Sequence, residues 1–217
     1  MYKTIYTSGT GEIEEKKSRF IAHIKKVTTE EEAVSFIAQK KKEFFDARHN
    51  CSAFVIGENQ EITRCSDDGE PSGTAGRPML EVLLGMEITN VCVVVTRYFG
   101  GTLLGTGGLV RAYQSAVKEG LNNSVIVEWT YGQKITIACD YTNIGKLQYI
   151  FANNNCPIIS SDYGADVSFV IAAQCENADT IIKQINEATA AKAKIISKDN
   201  IIFANVNGEI LLSDAEK

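Results

Sequence analysis

Apolar and polar residues along the chain change rhythm several times, and each change predicts an element. Residues 20–27 read as a strand. Thr28 and Thr29 then precede Glu30, Glu31 and Glu32, an N-cap followed by acids that the helix dipole favours. Ala33, Phe36, Ile37, Lys40 and Phe44 fall on one helical face, which predicts a helix to about Ala47. Residues 51–56 predict a buried strand, 58–60 a turn, and 61–65 a partner strand.

Residues 66–78 are a run of turn formers. Pro78 suits the first turn of a short helix over 79–84, closed by Gly85. An apolar, β-branched strand over 91–96 follows. The glycine-rich stretch 100–108 then opens onto a helix whose apolar face includes Leu109, Ala112, Ala116 and Leu121, and residues 124–129 predict one more strand.

The second half reads as strand 134–140, helix 143–153, strands 157–161 and 167–173, helix 177–191 and strand 194–206. That order, β-α-β-β-α-β, predicts a ferredoxin-like domain, with the boundary near residues 131–133. It holds no concentrated polar motif and reads as a packing or docking module.

Composition narrows the function classes. The chain has 217 residues, 44% hydrophobic and 23% charged, enough for one large domain or two small ones. A net charge of −5 argues against broad, non-specific nucleic-acid binding, which needs a surplus of Lys and Arg on one face. Lys16, Lys17, Arg19, Lys25 and Lys26, then Lys40, Lys41 and Lys42, form local basic clusters that read first as solvated faces. The polar first eleven residues lack the apolar core of a signal peptide, and no apolar run approaches the ~20 residues of a membrane span. A soluble, cytoplasmic protein is expected, either a monomer or a small homo-oligomer.

Six cysteines are scattered without a CxxC pair, against a disulfide scaffold. A site from His49, Cys51 and Cys65 matches no structural zinc spacing, and no metal is expected there. His23 lies in an alternating strand and reads as structural, while His49 reads as a helix C-terminal residue.

Two segments concentrate the chemistry: DDGEPSGTAGRPML over 67–80 and VTRYFGGTLLGTGGLVRAY over 95–113. Such glycine density predicts positive φ or close backbone approach. A glycine loop entering a helix offers free N–H groups and a positive dipole end, a ready anion site. Its candidate residues are Gly100, Gly101, Gly105, Thr106, Gly107 and Gly108, with Arg77, Arg97 and Arg111 supplying charge. Equally, the glycines can simply shape turns while the arginines pair with Asp67, Asp68 or Glu70. Both readings require the two segments to meet in space.

No Gly-Lys-Ser/Thr ends the loop, so it is not a Walker A motif. Val110 occupies the third glycine position of a dinucleotide fingerprint, and the strand lies too far from the first glycine. Asp67, Asp68 and Glu70, with Ser72 or Thr74, form an acidic loop where Mg²⁺ is a minor alternative to a solvated turn. No general base or nucleophile triad emerges, so no catalytic residue is assigned.

These segments, with KSRF over 17–20 and HNCSAF over 49–54, resemble the signature of the IMPACT family and its bacterial YigZ-type branch. The resemblance spans roughly residues 17–113. It implies an α+β fold: an N-terminal domain of the ribosomal-protein-S5-domain-2-like class over 1–131, and a ferredoxin-like C-terminal domain over 134–217. In eukaryotic members the family's role is to bind a ribosome-associated activator and restrain the kinase that answers amino-acid starvation. Bacteria lack that partner system, and no reaction carries over. The function expected is a translation-associated regulatory factor docking on the ribosome, RNA or a ribosome-bound protein through the Gly/Arg loop. The alternatives are an enzyme or binder of a phosphorylated small molecule, or a peptide-binding module displaying Tyr98, Phe99 and Tyr113.

Overall fold

A computed structural model describes residues 1–206 and 208–213. The last four positions of the domain expected to end at 217 lie outside the described residues. The chain divides into two compact units, Tyr2–Val127 and a second beginning at Glu128.

In the first unit, β1 (Tyr2–Thr7), β2 (Thr10–Glu15) and β3 (Ser18–Lys26) precede α1 (Glu30–Glu43). Then come β4 (His49–Ile56), β5 (Ile62–Ser66), α2 (Gly76–Gly85), β6 (Val91–Tyr98) and α3 (Thr106–Asn122). Five of these strands form an antiparallel sheet in the order β2-β3-β6-β4-β5.

β6 is the central strand, and all but its last residue are buried. Both faces of the sheet are covered, which is why 91–96 reads as continuously apolar rather than alternating. Val91, Val93 and Val95 join Phe20, Ala22 and Ala53 in the core beneath α2 and α3. Cys92 and Val94 point the other way, with Phe54 and Ile56, against Ala33 and Phe36 of α1. The period-2 geometry of a strand thus serves two cores.

α1 starts where the threonines predict. Thr29 Oγ1 accepts from the Glu32 N–H at 3.2 Å, and the Glu32 carboxylate accepts from the Thr28 N–H at 2.7 Å. It stops at Glu43 rather than Ala47, and the next residues turn into β4. His49 therefore opens a strand instead of closing a helix, and its Nδ1 lies 3.0 Å from the Asp68 carbonyl. Two further differences concern the chain's start and middle. The polar stretch 1–11 contains β1 and the first two residues of β2. The strands expected over 124–129 and 134–140 are one strand, β7 (Val125–Cys139), running unbroken through 131–133.

The second unit continues through a 3-10 turn (Tyr141–Asn143), α4 (Ile144–Asn153), β8 (Ile158–Tyr163), β9 (Val167–Gln174), α5 (Ala178–Thr189), β10 (Lys194–Val206) and β11 (Glu209–Ser213). The sheet order β10-β7-β9-β8 with two crossing helices is the ferredoxin-like arrangement, extended by the β10–β11 hairpin. Its core joins Ile135 and Ile137 of β7 to Leu147 and Phe151 of α4 and Ile181 and Ile185 of α5.

Candidate functional site

The acidic loop is organised by Asp67. Its Oδ1 accepts from the Ala75 and Gly76 N–H groups at 3.0 and 2.8 Å, and its Oδ2 accepts from Gly73 N–H at 2.9 Å. One carboxylate thereby closes the loop and satisfies donors at the start of α2, where Ala75 offers no capping side chain. Burial pushes this carboxyl up, but the three backbone bonds outweigh it and hold it below the usual range.

Asp68 turns elsewhere, with Oδ1 2.6 Å from Lys41 Nζ and Oδ2 accepting from Asn50 N–H at 2.7 Å. Glu70 turns inward. Its Oε1 accepts from Arg97 Nη1 at 2.6 Å and from the Tyr113 hydroxyl at 2.8 Å, all three side chains being buried. Thr74 Oγ1 donates to the Pro71 carbonyl at 2.7 Å, and Ser72 is exposed. The three acids point apart, and each is already engaged by protein donors. Among the described residues no group of three His, Cys, Asp or Glu side chains converges as a metal site would require.

Around Glu70 the network is buried and extends to Cys51. Cys51 Sγ lies 3.3 Å from the Tyr113 hydroxyl and 2.9 Å from the Asp67 carbonyl. Burial pushes the Cys51 thiol up to about 12, so it is no thiolate nucleophile near neutrality. Burial, and then the neighbouring Cys51 and Glu70, push the Tyr113 phenol far up, keeping it a neutral donor. Phe20 packs edge-on against Tyr113 at 5.1 Å, and the Arg97 guanidinium lies 5.4 Å from the Phe20 ring centroid and 5.6 Å from that of Phe99. Tyr113 is thus core rather than an exposed docking aromatic, whereas Phe99 is half exposed.

The two glycine-rich segments do meet, through Glu70 with Arg97 and Tyr113. The three arginines part company. Arg97 is buried and ion-paired, Arg77 pairs on the surface with Glu81 at 3.0 Å, and Arg111 is exposed with no ion pair among the described residues. The loop itself is shorter than expected, because Thr106, Gly107 and Gly108 already form the first turn of α3. Gly105, at φ 74°, is the N-cap and provides no side-chain oxygen, so the first amides of α3 have no side-chain cap. Gly100 is required sterically, since a Cβ there would lie 2.0 Å from the Lys17 carbonyl carbon. Gly101 also has positive φ and faces open space.

Beside this network lies a cleft of about 660 Å³ lined by Arg48, His49, Glu70, Arg97, Phe99 and Leu103, among others. Arg48 is absent from the residues singled out by sequence, because an isolated arginine between helix and strand carries no spacing signal. Cys51 and Tyr113 were singled out in other roles, as a possible metal-site member and as an exposed aromatic, and the structure instead joins them to Glu70 in the core.

A chain carrying this arrangement has close relatives. The IMPACT family member YvyE of Bacillus subtilis is 43% identical over 194 residues, covering 89% of each protein. The chain belongs to the IMPACT family. Residues 16–121 match the Impact N-terminal domain and residues 137–192 match a domain of unknown function, DUF1949. The IMPACT family member YigZ of Escherichia coli is 40% identical over 159 residues, 72% of this chain and 78% of that one. A crystal structure of a hypothetical protein superposes with a TM-score of 0.56 at 33% identity, covering 90% of this chain and 96% of that one. Within this IMPACT chain, no helix among the described residues is long and apolar enough to cross a membrane.

Proposed function

We propose that this IMPACT-family chain is a cytoplasmic, translation-associated regulatory factor that docks on ribosomal RNA through the edge built around the 99–105 loop. The translation context comes from the role that the family resemblance implies. The observation that carries the docking surface is a set of exposed cations flanking one loop. Lys16 and Lys17 form the tip of the β2–β3 hairpin, and Gly100 packs on the Lys17 backbone. Arg111 reaches back over the first turn of α3, its Nη1 3.6 Å from where a Gly107 Cβ would stand. None of these three cations has an ion pair among the described residues.

The uncapped start of α3 adds N–H donors and the positive end of a 17-residue helix dipole at the same edge. A few phosphate contacts suit a chain of net charge −5 better than a broad basic face would. Arg77 and Arg97, already paired, add little free charge to this surface.

Ribosome co-sedimentation of the full chain tests the reading. The wild type is expected to co-migrate in a salt-sensitive way, and Lys16→Gln/Lys17→Gln/Arg111→Ala to lose co-migration while keeping its melting temperature. Equal co-migration of the folded variant, or none by the wild type at low salt, would overturn it.

A further inference from the structure

Arg97 is the last inward-facing residue of the central strand β6, and its guanidinium is only partly used. It donates one bond, from Nη1 to Glu70 Oε1 at 2.6 Å. Its Nε is buried with no hydrogen-bond partner, and Nη2 makes no hydrogen bond among the described residues. The residue is 7% exposed and lines the cleft. Phe20 and Phe99 hold the guanidinium in place, at 5.4 and 5.6 Å from their ring centroids. A buried arginine, oriented by a carboxylate and two rings and left with an unpaired Nε–Nη2 edge, is a fork prepared for one more planar acceptor.

We propose that the cleft binds a small molecule or chain terminus carrying a single carboxylate and an apolar group, with Arg97 as the residue that recognises the carboxylate. The inference stands apart from the docking reading and shares with its surface only Phe99 and Leu103.

Charge selects the class. Glu70 already occupies one side of the guanidinium, and Asp46, bonded by the Tyr98 hydroxyl at 2.8 Å, also lines the cleft. A dianionic phosphate would face both acids, whereas a monoanionic carboxylate matches the two-donor fork and meets one further cation, the exposed Arg48, which makes no ion pair among the described residues. The apolar group has partners in Phe99, 53% exposed, Leu103, 83% exposed, and Pro71. Leu103 is among the most exposed large apolar side chains of the chain, and a ligand seated in the cleft would cover it. The volume, about 660 Å³, falls within the roughly 300–1,000 Å³ of small-ligand sites.

Titration calorimetry on the full chain, with four probes, decides it: N-acetyl-L-leucine, N-acetyl-L-leucinamide, a triglycyl-leucine peptide with a free C-terminus, and inorganic phosphate. At least one of the two acids is expected to bind saturably, the amide not at all, and phosphate about tenfold more weakly than the acid or less. Binding of the free acid alone assigns a metabolite, and binding of the peptide assigns a chain terminus. Arg97→Lys keeps the cation beside Glu70 but lacks the fork, and is expected to weaken acid binding about tenfold or more. Should Arg97→Lys fail to fold, Phe99→Ala and Leu103→Ala, both at exposed positions, are expected to weaken it severalfold. Equal binding of acid and amide, phosphate binding as tightly as the acids, no binding of either acid, or a folded Arg97→Lys with wild-type affinity would overturn the proposal. Wild-type affinity in both apolar variants would do the same.

Discussion

Arg97 Nη1 and Glu70 Oε1 stand 2.6 Å apart, with side chains only 8% and 3% exposed, and this pair fastens the acidic loop to the central strand. Tyr113 adds its hydroxyl to the same carboxylate oxygen, so three elements meet at one atom. Taking two charges from water costs several kcal/mol each, and the close geometry with an added hydrogen bond offsets that cost. Removing one partner strands the other. Glu70→Ala is expected to destabilise the first unit by about 3–5 kcal/mol, and Glu70→Ala/Arg97→Met to recover part of that loss. Urea unfolding of both variants checks it. A double variant no more stable than Glu70→Ala would show that the buried charge is not the source of the damage.

Asp67 closes the same loop by a different device, three backbone N–H bonds on one carboxylate. Asp67→Ala leaves all three donors without their partner, and a loss of about 1–2 kcal/mol is expected, as for a removed helix cap. The folded-state pKa is depressed, so the carboxylate's contribution is complete above the unfolded value near 3.8 and is lost as pH falls below it. The difference in melting temperature between wild type and Asp67→Ala should therefore shrink as pH falls below about 4. A constant difference below that pH would place the stabilisation elsewhere.

How far the sequence foretold these contacts depends on what each residue advertises. The strand over 91–96 and the caps of α1 follow from local chemistry, and the structure contains both. β1 and β2 escaped because their few inward positions, among them Thr4, Ile5 and Gly11, include too little apolar surface to set a period. The unbroken β7 escaped because Tyr131, Gly132 and Gln133 look like a linker, although Gly132 sits where a Cβ would lie 2.5 Å from the Ala173 carbonyl. At the site, the two glycine-rich segments were legible by composition. The burial of Arg97 was not, since only the sheet register decides whether a strand-end arginine faces solvent or Glu70.

His23 was readable as structural, and its environment gives that reading a pH signature. The ring lies 4.9 Å from Phe44, and its Nε2 is buried without a hydrogen-bond partner. Burial first, and then the nearby Lys40, lower its pKa to about 4, with Glu43 opposing. The unfolded chain binds this proton near 6.5 and the folded chain near 4, so the contribution is fully present above 6.5 and lost as pH falls towards 4. His23→Leu should remove that part of the acid sensitivity. Melting temperatures measured from pH 7 to pH 4 are expected to fall less steeply in the variant, and parallel curves would refute the assignment.

Gly100 packs the glycine loop directly against the backbone of the β2–β3 hairpin. Its N–H donates to Ser18 Oγ at 3.1 Å, and a Cβ would stand 2.0 Å from the Lys17 carbonyl carbon and 2.4 Å from the Ser18 nitrogen. Both obstacles are backbone, so neither can rotate away as a flexible side chain would. Gly100→Ala must therefore push the loop from the hairpin and break the Ser18 bond. Gly101→Ala makes a sharp control: the space around it is open, and only its φ of 87° opposes a side chain. An alanine at positive φ costs about 1 kcal/mol, whereas the overlap at Gly100 is expected to cost two to three times as much. Hydrogen exchange should then rise at Lys17, Ser18 and residues 99–105 in Gly100→Ala, while in Gly101→Ala it stays near wild type at Lys17 and Ser18. Unchanged protection at Ser18 in Gly100→Ala would mean that the hairpin and the loop are not held together by this contact.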